Sequence, residues 1–123
     1  MPARPELAGF VRDQFKSVWS LELLLLLLRD PSLSWQREQL VAALRASDSI
    51  VATSLENLIV GGLIVRDKAE MSRYSPATAD LDRLAREIDA LYAGKPDAVR
   101  RLIVSNAGSG LTAFADAFKL KRD

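Results

Sequence analysis

The chain has 123 residues, 49% of them hydrophobic and 27% charged, with 17 Lys and Arg against 16 Asp and Glu for a net charge of +1. That is enough apolar material for one domain with a real core, and it lacks the basic excess usual in a dedicated nucleic-acid binder. With no Cys and no His, the chain has no disulfides, none of the usual ligands for zinc, iron–sulfur or haem, no thiol redox sensor and no His-dependent catalytic triad.

Residues 6–16 show helix spacing, with Leu7, Phe10, Val11 and Phe15 on one side. Val18–Arg29 is a helix that is apolar all round, so it requires cover on more than one side, from the rest of the chain or from a second subunit. Its apolar run Val18–Leu28 is broken by Glu22 and closed by Arg29-Asp30, short of the about 20 residues a membrane span needs. Glu6, Asp13 and Glu22 likewise argue against a signal peptide, so the sequence predicts a soluble, cytoplasmic protein. Asp30-Pro31 stops the helix.

The next helix is expected over Ser34–Arg45, capped by Ser34, with Leu40, Val41 and Leu44 facing inward. Ala46-Ser47-Asp48 makes a turn, and Ser47 caps a second helix that runs to Val60. Val51, Leu55 and Leu58 form its buried stripe, which leaves Ser49, Ala52, Thr53, Glu56 and Asn57 mostly outside, with Ser54 at the margin. Gly61-Gly62 supplies a left-handed end. Leu63–Arg66 and Met71–Ser75 flank the polar tip Asp67-Lys68-Ala69-Glu70 as a β-hairpin, and Pro76 ends it. Asp80–Ala93 is a further helix whose Leu81, Leu84, Ile88 and Leu91 make a short heptad seam. After Gly94-Lys95-Pro96 comes a face of Val99, Leu102 and Ile103, then the link Asn106–Gly110, a last helix Leu111–Phe118 and a charged tail.

Helix, turn, helix and hairpin is the layout of a winged helix-turn-helix. The fold class expected is therefore mainly α with a small β-hairpin wing. A single domain spans 1–123: N-terminal helices over 1–32, helix-turn-helix and wing over 33–76, and C-terminal helices over 79–118. In such a layout the second helix presents its outer side chains to base edges, here Ser49, Thr53 and Asn57, with Ser54 beside them. Phosphate contacts fall to Ser34, Arg37, Arg45, Arg66, Lys68 and Arg73. Residues 47–62 contain Asp48 and Glu56 but no Lys or Arg, whereas phosphate charge supplies much of a DNA binder's affinity. The alternative is the same fold used as a protein–protein interaction module, with the neutral second helix docking a partner.

The seam Leu81, Leu84, Ile88 and Leu91 is the expected interface of a homodimer, which would read paired half-sites on duplex DNA. An aromatic pocket near Phe15, Trp19, Tyr92 and Phe114 is the place for a small effector, although aromatics at helix spacing more often fill a core. Enzymatic activity is not expected. Gly108-Ser109-Gly110 lacks both the preceding strand and the lysine of a phosphate loop, and no serine has a histidine to activate it. No cofactor is called for.

The turn Arg45-Ala46-Ser47, the pattern Val51, Leu55, Leu58, the ending Leu58 to Gly62-Leu63 and the hairpin through Arg66 and Tyr74 resemble bacterial winged helix-turn-helix transcriptional regulators of the MarR/ArsR type. The match covers about a third of the chain, and the flanks Ser17–Leu24 and Phe114–Phe118 carry no activity with them. The resemblance implies DNA binding through 47–60, wing contacts near Lys68, and homodimers. The chain departs from the pattern in its reading helix without basic residues, in Glu70 at the wing tip, and in lacking both the metal ligands of ArsR-type relatives and the sensing cysteines of redox-responsive ones.

Overall fold

The computed structural model describes residues 5–104. These residues are mainly helical with one small antiparallel sheet. In order come α1 (Pro5–Gln14), α2 (Val18–Arg29), α3 (Arg37–Leu44), α4 (Asp48–Val60), β1 (Ile64–Arg66), β2 (Ser72–Tyr74) and α5 (Ala79–Gly94). A sixth helix, α6, starts at 96 and reaches 104, the last described residue.

The centre of the molecule is α2. Ser17 starts it with extended backbone: its Oγ accepts from the Ser20 N–H at 3.3 Å, and Ser20 Oγ accepts from the Ser17 N–H at 3.3 Å. Leu21, Leu23, Leu24, Leu25, Leu27 and Leu28 are all buried. Helices α3 and α4 and strand β2 pack directly on α2, and α1 packs on α5. The chain thus covers its own leucine helix from α3, α4 and β2. Among the described residues no helix is long and apolar enough to cross a membrane.

The helix expected from Ser34 starts three residues later. Trp35 exchanges two backbone hydrogen bonds of 2.8 Å with Ser72, which adds a short bridge to the hairpin and holds the segment before α3 extended. Ser34 therefore caps nothing; instead the Gln36 N–H donates to Gln39 Oε1 at 2.8 Å. The turn after α3 is made by Arg45 in a left-handed conformation (φ 55°). Ser47 caps α4 as its sequence predicts, with Oγ accepting from the Ile50 N–H at 3.2 Å. Gly62 (φ 78°) turns the chain into the hairpin. There Ile64 pairs with Tyr74, Val65 with Arg73 and Arg66 with Ser72. Asp67 orders the tip by accepting from the Ala69 N–H at 2.9 Å and the Met71 N–H at 3.0 Å.

Thr78 caps α5, its side chain accepting from the Leu81 N–H at 3.1 Å. Two of the four residues of the expected dimer seam on α5 lie inside the chain. Ile88 is 0% and Leu84 7% exposed, both spent in the chain's own core, while Leu81 and Leu91 are half-buried against that core. A 3-4-3 spacing marks any apolar stripe, and here α1 and its neighbours cover it. Residues 1–4 and the expected helix Leu111–Phe118 with its tail lie outside the described residues.

Candidate functional site

The outer face of α4 is polar and short-chained. Ser49, Thr53 and Glu56 are exposed, and Val60 beyond them is 85% exposed. Asn57 is half-buried at the edge towards α2. Ser54 does not belong to this face: it is 3% exposed. On a 3.6-residue helix, position 54 falls beside Val51, Leu55 and Leu58 on the buried side, and its polar side chain disguised that position in the sequence.

Each flank of α4 opens on a groove. On the α2 side, Ser49, Thr53 and Asn57 share a groove of about 330 Å³ with Lys16, Ser17 and Trp19 from the α1–α2 corner. On the hairpin side, Arg37 and Arg66 share a second groove of about 330 Å³ with Glu38 and Glu70. The two arginines there are already paired. Arg37 Nε lies 2.9 Å from Asp48 Oδ1, and Arg66 Nη2 lies 2.7 Å from Glu56 Oε2, so both carboxylates come from α4. All four side chains are at least one-third exposed, and such pairs contribute about 0–1 kcal/mol each.

The remaining expected phosphate contacts are dispersed. Arg45 sits at the α3–α4 turn, Lys68 at the hairpin tip and Arg73 on β2, all exposed and with no ion-pair partner among the described residues. Ser34 is half-buried in the extended segment before α3. Nothing local marks Lys16 or Trp19 as neighbours of α4, because thirty residues separate them and only the packing of α2 on α4 joins them.

The expected aromatic pocket is not assembled. Phe15 is fully buried and packs edge-on against Phe10, with centroids 5.7 Å apart. Trp19 lies in the α4 groove. Tyr92 lines a different groove of about 310 Å³, where its hydroxyl donates to Glu22 Oε2 at 2.8 Å and the Arg100 guanidinium lies 5.4 Å from its ring centre. Burial, then the Glu22 bond, raises the Tyr92 pKa above the usual tyrosine range. Phe114 lies outside the described residues.

One polar contact ties the hairpin to α5. Tyr74 on β2 is 3% exposed, and its hydroxyl donates to Asp82 Oδ1 at 2.7 Å. Arg86 pairs with the same carboxylate oxygen at 3.0 Å. Burial first, and the Asp82 bond second, push the Tyr74 pKa well above its usual value. No described group of carboxylates is placed to hold a metal ion. No known protein family, curated protein or solved structure matches the chain.

Proposed function

We propose that the chain is a winged-helix transcriptional regulator that binds duplex DNA, with α4 in the major groove and the hairpin as the wing. The observation that supports this best is the outer face of α4. Its small polar side chains Ser49 and Thr53 stand exposed between two grooves that carry Lys16 on one side and Arg37 and Arg66 on the other. A helix with such a face fits the roughly 12 Å major groove, whose walls are phosphate strands. Arg45, Lys68 and Arg73 add exposed cations with no ion-pair partner among the described residues. In this reading the protein works in the bacterial cytoplasm, and two copies occupy a palindromic site. With the α5 seam spent on its own core, the chain offers a second copy only the half-buried Leu81 and Leu91 of that stripe.

A second reading, a protein-interaction module of the same fold, draws support from the Arg37–Asp48 and Arg66–Glu56 pairs, which leave the α4 face close to neutral. Salt separates the two. The protein is mixed with pooled genomic fragments at 50 and 200 mM salt, and the mass of the bound species is recorded. Enrichment of a palindromic site at low salt, lost at high salt, by a species of twice the chain mass supports the regulator. No enrichment at either salt rejects it in favour of the interaction module.

A further inference from the structure

A helix lying in a major groove is about as wide as the groove itself, so phosphate strands run along both of its flanks. A duplex reader therefore needs donors on both sides of the helix. On α4 the two sides differ. Residues 50 and 57 lie roughly opposite 48 on the helical wheel, so the α2 groove and the Asp48 edge bound the exposed face from opposite sides. The Asp48 edge is acidic, and its arginines are occupied. Among the described residues lining the α2 groove, Lys16 is the only charged one, and no carboxylate faces it. The rest of the lining contributes hydroxyls, the Asn57 amide and the Trp19 ring.

Trp19 itself is unusual. It is 37% exposed at the start of a helix whose other large apolar residues are covered, and no hydrogen bond of its indole stands among those of the described residues. The indole nitrogen is a donor only. An apolar face with one donor at its edge, beside an ammonium, matches deoxyribose with its phosphate better than it matches a base edge or a carboxylate-poor peptide.

We infer that the α1–α2 corner, Lys16 with Trp19, is a binding site for the sugar–phosphate backbone of duplex DNA, on the α4 flank opposite the hairpin. The inference rests on the DNA-binding reading and adds to it a site that the helix, turn, helix and hairpin do not contain. Lys16 supplies the charge to one phosphate. Trp19 packs against the adjoining deoxyribose and donates its Nε1–H to a phosphate oxygen.

The chain has two tryptophans. Trp35 holds the hairpin through its backbone, and its Nε1 is buried without a partner among the described residues, so W35F removes no hydrogen bond seen there and leaves Trp19 as the sole tryptophan, read by excitation beyond the tyrosine band. W35F protein is titrated with an unlabelled 16-base-pair duplex while Trp19 emission is read. K16Q in the natural sequence is titrated with a dye-labelled duplex, read by anisotropy, between 50 and 200 mM salt. The expected results are quenching of Trp19 at saturation and, for K16Q, a loss of affinity across that salt range about threefold smaller than that of the natural protein, as one phosphate contact fewer requires. A duplex that binds with unchanged Trp19 emission and an unchanged K16Q salt dependence overturns the corner and leaves the DNA reading standing. No binding by anisotropy at either salt overturns both. Equal quenching by polyglutamate overturns the backbone assignment in favour of an acidic peptide. The K16Q arm needs no change in the core, so a W35F protein that fails to fold does not shelter the proposal.

Discussion

Arg45 holds a left-handed backbone, φ 55°, at a turn where glycine would sit without strain. An exposed arginine with no ion-pair partner among the described residues gains nothing evident in stability there. Strain retained without a folding benefit points to work done by the side chain. R45G is therefore expected to stabilise the fold by up to about 1 kcal/mol, read as a higher urea midpoint, while weakening duplex binding. A variant that is stabilised and binds unchanged would remove Arg45 from the interface. Tyr74 is the second residue whose environment dictates a measurement. Its pKa is raised on folding, so its contribution is fully present below the free tyrosine value of about 10 and is lost as pH rises beyond it. Natural protein should lose stability between pH 9 and pH 11, and Y74F should lose less, at a cost near neutral pH of about 1.5–3 kcal/mol for the bond to Asp82. Tyr92 is shifted in the same direction, so Y74F reduces the alkaline loss without abolishing it. Single residues were the least legible level of the sequence. The burial of Ser54 and the missing cap at Ser34 each depend on a partner distant in the chain, α2 in one case and Ser72 in the other.

Elements were more legible, because their ends are written in local chemistry. Ser47 capping α4, Pro31 after α2 and Gly62 after α4 act through the nearest turn of backbone. The observed α2, α5 and hairpin fall within a residue or so of their expected bounds. The charge on α4 was legible as composition but not as arrangement: Asp48 and Glu56 were visible, and their pairing across to α3 and β1 was not. That arrangement gives α4 a property testable as a whole. Its two carboxylates occupy the arginines that a phosphate strand would use, through exposed pairs weak enough to exchange. D48N with E56Q should free Arg37 and Arg66 and remove two repulsive charges. Duplex binding should tighten severalfold, and its salt dependence should steepen by about one counterion for each arginine that engages phosphate. Affinity and salt slope equal to those of the natural protein would mean that the hairpin flank of α4 never meets the backbone. On the DNA-binding reading proposed above, a helix of this charge would keep affinity low off target and leave base and hairpin contacts to decide where the protein stays.

At the scale of the molecule the decisive element is α2, since six of its leucines must be kept from water. The sequence required that cover without saying what provides it, because an all-round apolar helix has no preferred face from which to read a partner. The structure provides it from α3, α4 and β2. Leu24 and Leu27 are 0% exposed with no second copy present. Two consequences follow for solution behaviour. L24A should cost about 2–5 kcal/mol, the range for truncating a buried leucine when the surrounding elements cannot close the gap. The urea midpoint of the natural protein should also stay constant across a hundredfold range of protein concentration. A partner that completed the core would bind only the folded state and would raise the midpoint by mass action as concentration grows. A midpoint that climbs with concentration would show that the fold depends on association, and would return Leu81 and Leu91 to an interface. A constant midpoint, set beside a doubled mass only when a palindromic duplex is present, would mean that DNA itself brings two independently folded copies together, with the spacing of the half-sites rather than a standing dimer fixing their geometry.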